Sequence, residues 1–89
     1  MNKDFNEKVD QEIELEFEGG EVRKMRLLLT FEDAQENEKY VFYFDEEGES
    51  EEVFPFLYDD ESEEIIELEE KRQWEKADEI LQAFLAEQN

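Results

Sequence analysis

The sequence predicts an α+β fold: an antiparallel meander of four strands, or five, with one C-terminal amphipathic helix packed on one face. Three observations carry this expectation. The run Tyr40-Val41-Phe42-Tyr43-Phe44-Asp45 is apolar at both strand parities, so both of its faces want cover and it belongs in the middle of a sheet. Upstream, apolar and acidic residues alternate with a period of two. Downstream, the apolar residues change to helical spacing.

Residues 1–8 are polar and unpatterned apart from Phe5 and read as a flexible segment ahead of a single domain, residues 9–89. From Val9, the odd positions Val9, Ile13, Leu15 and Phe17 oppose Glu12, Glu14, Glu16 and Glu18, a half-buried strand with an acidic outer face. Gly19-Gly20 tolerates positive φ and marks a hairpin. The second strand, residues 22–31, is expected to place Met25, Leu27, Leu29 and Phe31 on one face. A two-residue turn would mix that face with Lys24 and Arg26. An odd, three-residue loop with a bulge at a glycine sets Ile13 and Leu15 beside Met25 and Leu27 instead.

A polar connection, residues 33–38, leads to the central strand, and Glu46-Glu47-Gly48-Glu49 reads as the next turn. The fourth strand, residues 52–58, is apolar at both parities. Pro55 cannot donate to a ladder, which argues for an edge or interrupted strand. After the acidic loop 59–64, residues 65–68 form a short fifth strand or lead into the helix. In residues 70–87, Trp74, Ala77, Leu81 and Phe84 recur at spacings of three and four, with Ile80 and Leu85 widening the stripe. Trp74 is therefore expected in the core. One helix covers one sheet face; the other needs the N-terminal segment and loops, a partner, or a second copy in a homodimer.

Charge sets the functional boundaries. Thirty Asp and Glu stand against nine Lys and Arg, a formal −21, while eight Phe, three Tyr and one Trp supply enough bulk for a folded core. Direct binding to nucleic acid or to an anionic membrane needs clustered Lys and Arg, so neither is expected. With no Cys there is no disulfide or thiol chemistry, and with no His the usual general base and metal ligand are missing. No apolar stretch has the length of a signal peptide or a membrane span, which makes the cytoplasm the default location.

The acidic runs invite a calcium reading. An EF-hand loop needs Gly at its sixth position; counting from Asp45 puts Ser50 there, and counting from Asp59 puts Glu64 there. Both fail, and the runs read as solvated acidic turns with no metal or cofactor site assigned. Paired carboxylates can hydrolyse glycosides, but among thirty acids some pair always has a suitable spacing. No enzyme activity is expected.

The ordered pattern carries a resemblance. An acidic Ile-x-Leu strand, a hairpin turn and a Tyr-Val-Phe strand come first. A Glu-Glu-Val strand ending in Tyr58-Asp59-Asp60, then Leu68-Glu69-Glu70, precede a helix from Trp74 to Phe84 containing Glu79-Ile80-Leu81. The chain resembles the DUF1292 family of small acidic Firmicutes proteins, also called UPF0473, over residues 12–86. Phe54-Pro55-Phe56-Leu57 departs from the small or basic residues expected there. The resemblance implies a cytoplasmic bacterial protein and no reaction. It also implies genes near a Holliday-junction-resolvase-like nuclease and an alanyl-tRNA synthetase, which names a class of partner.

Together these readings predict a non-enzymatic acidic module that binds a basic protein, in its specific form by mimicking nucleic-acid phosphate toward a nucleic-acid enzyme. The candidate carboxylates are Asp45, Glu46, Glu47, Glu49, Glu51 and Glu52 in one run, and Asp59, Asp60, Glu61, Glu63 and Glu64 in the other. Phe54, Phe56 and Tyr58 are the candidate apolar anchors between them. The alternatives are a divalent-cation-binding domain and a homodimeric assembly module whose charge serves solubility.

Overall fold

The computed structural model describes residues 9–45 and 52–88. Among these, five strands form one antiparallel sheet in the order β1-β2-β3-β4-β5: β1 Glu12–Glu16, β2 Val22–Asp33, β3 Glu38–Asp45, β4 Val53–Asp59 and β5 Glu64–Ile66. A helix, α1, follows at Lys71–Gln88. The α+β meander is as the sequence predicts, and β3 is its middle strand. Tyr40, Val41, Phe42 and Tyr43 are fully buried there, in accord with their apolar character at both parities.

The β1–β2 hairpin has the expected three-residue loop. The Phe17 amide donates to the Glu21 carbonyl at 2.7 Å and the Gly20 amide to the Phe17 carbonyl at 3.2 Å. Gly19 and Gly20 have φ of 90° and 80°, conformations that side chains rarely adopt. The register lies two residues from the expected one, a shift that keeps the faces. Ile13 pairs with Met25 and Glu14 with Lys24, while Leu15 lies opposite Arg23 rather than Met25.

β2 does not keep one apolar face. Leu27 pairs with Tyr43 and Leu29 with Phe42, so Leu28 is an extra residue in β2, a β-bulge. One inserted residue exchanges faces beyond it. Met25 and Leu27 therefore lie in one core cluster, with Val9, Val41, Tyr43 and Tyr58. Leu28 and Leu29 lie in the other, with Tyr40, Phe42, Leu57, Leu68, Ala77 and Ile80. The three consecutive leucines are the sequence mark of this crossover, and the expected common face of residues 25, 27, 29 and 31 is corrected accordingly.

The bulge also favours a stronger twist, and the sheet is curled. Ile13 and Leu15 of β1 pack against the same cluster as Phe54 and Phe56 of β4 and Ile65 of β5, from the opposite margin of the sheet. The Phe17 and Phe54 rings meet at 5.9 Å between centroids, and the Tyr43 hydroxyl donates to the Asp10 carbonyl at 2.8 Å. The second face is thus lined and covered by side chains of the chain itself.

β4 is an inner strand, but β5 pairs only with its residues Leu57, Tyr58 and Asp59. Pro55, opposite Phe42, lies beyond that short partner, where the absent N–H breaks no described ladder on the outer side.

Candidate functional site

The two connections at the Tyr40 end of β3 and β4 are built alike. Asp33 Oδ1 accepts the amides of Gln35 and Glu36, and Asp59 Oδ1 accepts the amide of Glu61 while its Oδ2 accepts the Ser62 hydroxyl. Each turn then passes through a left-handed residue, Asn37 at φ 54° and Glu63 at φ 57°. The second turn holds the expected acidic loop. Glu61, Glu63 and Glu64 are exposed, and Asp60 is ion-paired with Lys39, whose pKa is raised chiefly by that hydrogen bond.

The first acidic run is placed only at its ends, since Glu46, Glu47, Glu49 and Glu51 lie outside the described residues. Glu52 is exposed. Asp45 is only 6% exposed and accepts from Arg23 Nη1 at 3.2 Å, so it is an interior ion-pair partner and not a surface carboxylate. The candidate anchors are covered to different degrees. Tyr58 is buried, and Phe54 and Phe56 are half-buried against the Val41–Tyr43 cluster, Phe56 meeting the Tyr43 ring edge-on at 6.2 Å. The curl turns that face of β4 toward β1, and the half-buried Phe54 and Phe56 also line a groove beside Trp74.

The cations are largely committed to carboxylates of the chain. Arg23 pairs with Glu21 and Asp45, Arg26 with Glu12, Lys71 with Glu75, and Arg72 with Glu36, Glu38 and Glu70. Among the described residues, no group of three or more His, Cys, Asp or Glu is arranged to hold a metal ion. No described helix is long and apolar enough to cross a membrane.

Sequence reasoning missed two features. The first is a polar junction at the start of α1. Gln73, 7% exposed, accepts the amides of Glu69 and Glu70 through Oε1, at 3.0 and 3.1 Å, and donates through Nε2 to Glu38 Oε2 at 2.6 Å. Arg72 adds two further bonds to the Glu38 carboxylate at 2.8 and 3.2 Å. The Arg72 hydrogen bond is the main reason that the Glu38 carboxyl is held below its usual pKa. A Gln at the third helical position is half of a capping box, a signal that was present in the sequence.

The second is a groove. Trp74 is 51% exposed, not in the core: the buried positions described on α1 are Gln73, Ala77 and Ile80, so the expected stripe holds at Ala77 and Ile80 and fails at Trp74, where Gln73 is the inward residue. Gln73 takes the inward place at the helix start because it caps and reaches Glu38, and this turns the neighbouring indole outward. There it walls a depression of about 540 Å³ formed with Leu15, Phe17, Leu68 and residues 53–56, with Glu16 and Glu67 at its margin. A smaller depression of about 190 Å³ shares Val53, Pro55 and Trp74 with it and is otherwise lined by Phe42, Ala77, Asp78 and Leu81.

Comparisons with protein-family models, with curated proteins and with solved structures find no match for this chain.

Proposed function

We propose that this chain is a non-enzymatic acidic interaction protein of the cytoplasm that binds a basic protein partner. The observation that carries the reading is the distribution of charge. Against a net −21, Asp45 is the one buried carboxylate among the described residues, and the Arg and Lys side chains named above are engaged by carboxylates of the chain itself. Much of the remaining acid, including Glu61, Glu63 and Glu64 in a turn tied by Asp59, faces solvent. A surface of this kind accelerates encounter with positive partners and loses that advantage in salt.

In its specific form the reading is phosphate mimicry toward a nucleic-acid enzyme, with the 59–64 turn presenting carboxylates on a fixed backbone. Membership of the DUF1292 family and docking of α1 on the Tyr40–Phe42 face through Gln73, Ala77 and Ile80 belong to the same proposal. The test is capture from lysate on the immobilised protein, washed at stepped salt. Recovery of a basic nucleic-acid-binding protein, released by moderate salt and reduced by changing Glu61, Glu63 and Glu64 to Gln, supports it. Recovery indifferent to salt and to those changes, or no recovery, would leave the charge as a solubility device.

A further inference from the structure

We infer that the groove beside Trp74 docks a linear segment of the basic partner, one bearing apolar side chains flanked by Lys or Arg. The inference rests on the reading that a basic partner exists, and adds where and by what chemistry it is held. The floor is apolar and the wall is a half-exposed indole, the side chain that most often anchors protein contacts. Because Trp74, Val53 and Pro55 line both depressions, the two offer adjoining apolar seats.

The margins select charge. Glu16 and Glu67 border the larger depression and Asp78 the smaller, so a segment crossing the groove meets carboxylate at both. A second copy of this chain is disfavoured as occupant, since each carries −21. Residues 53–56 of β4 have no described strand on their outer side, yet Pro55 removes an N–H from that stretch. An incoming strand would find an incomplete ladder. Recognition is therefore by side chains in the two seats and by ion pairs at the rim.

Trp74 is the sole tryptophan, so its emission reports the groove directly. The experiment titrates the intact protein at low salt with three short synthetic peptides: leucine and phenylalanine flanked by lysines, serines flanked by the same lysines, and the same apolar residues flanked by glutamates. Calorimetry runs in parallel. The expected result is a saturable blue shift with the first peptide alone, its affinity falling about threefold for each of Glu16→Gln and Glu67→Gln, the scale of an exposed ion pair.

If both lysine peptides bind equally and leave the emission unchanged, the groove is overturned while the acidic-partner reading stands. Binding by neither lysine peptide removes both. Equal binding of the glutamate-flanked peptide overturns the charge selection. A shift that follows protein concentration without peptide makes a second copy the occupant and overturns the proposal.

Discussion

Gln73 joins α1 to the start of β3 through a 2.6 Å hydrogen bond from its Nε2 to Glu38 Oε2, while the same amide caps the helix through Oε1. One side chain therefore satisfies two amides at the helix start and one half-buried carboxylate oxygen. Gln73→Ala leaves all three without that partner and is expected to cost about 2–3 kcal/mol, beyond an ordinary lost cap. Gln73→Glu keeps a capping oxygen but sets a second carboxylate against Glu38. That variant should be destabilised at neutral pH and partly recover on acidification. Denaturant melts of both variants at two pH values check this; equal stability of Gln73→Ala and wild type would refute it.

Trp74 and Ile80 should behave oppositely. Ile80 is buried with Tyr40, Phe42 and Leu57, so Ile80→Ala is expected to cost about 2–5 kcal/mol. Trp74, half in solvent, should cost about 1 kcal/mol or less on change to Ala, as for other surface substitutions. Chemical denaturation of the pair would settle the order, and a reversed order would mean that the indole is the inward residue.

The bulge at Leu28 decides which leucine joins which cluster. Deleting Leu28 joins Leu27, opposite Tyr43, directly to Leu29, opposite Phe42, so the ladder becomes continuous and both halves of β2 keep their faces. What is lost is the half-buried Leu28 side chain beside the Tyr40–Phe42 cluster and the local twist of the bulge. A variant that still melts cooperatively, destabilised by about 1–3 kcal/mol, is expected by circular dichroism. Loss of the cooperative transition would show that the two halves of β2 cannot close over the deletion.

Burial pushes the Tyr40 and Tyr43 hydroxyls up to about 12, with the Glu38 and Asp10 carboxylates as the next causes. Burial first, then Glu63 and Asp60, raises Tyr58 too. A raised folded pKa on an acid favours its neutral form, so the contribution to stability is complete below the unfolded value near 10 and is lost as pH rises toward 12. Absorbance titration should show phenolate formation delayed beyond free tyrosine and coincident with unfolding. Ordinary titration near pH 10 in the folded protein would contradict the burial of both rings.

At −21 the folded chain repels itself, and screening relieves this. The melting temperature is expected to rise between low and moderate sodium chloride and on mild acidification. An unchanged melting temperature would mean that the exposed acids are spaced too widely to matter.

The middle strand, the parity of the glycine hairpin and the helix were legible because each is a local pattern. Apolar residues at both parities in 40–43, two adjacent glycines, and helical spacing in α1 limit the chain without reference to distant neighbours. The placement of Pro55 where β4 lacks an outer partner was also readable, since a missing N–H restricts a strand anywhere. The acidic 59–64 turn was visible from composition, though not the Asp59 hydrogen bonds that shape it.

What tertiary structure alone decided are the choices between locally equivalent options. Leu27, Leu28 and Leu29 are alike in sequence, and only pairing with Tyr43 and Phe42 assigns the bulge to one of them. Trp74 and Gln73 are neighbours on one helix. A hydrophobicity pattern favours the indole for the interior, whereas Glu38, thirty-five positions away in sequence, draws the amide inward and leaves the indole at a groove. The sequence determines periods, turns and charge because these act over a few residues. The curl that covers the second face and the groove at its margin arise when β1 meets β4, a contact between sheet margins that no short-range pattern encodes.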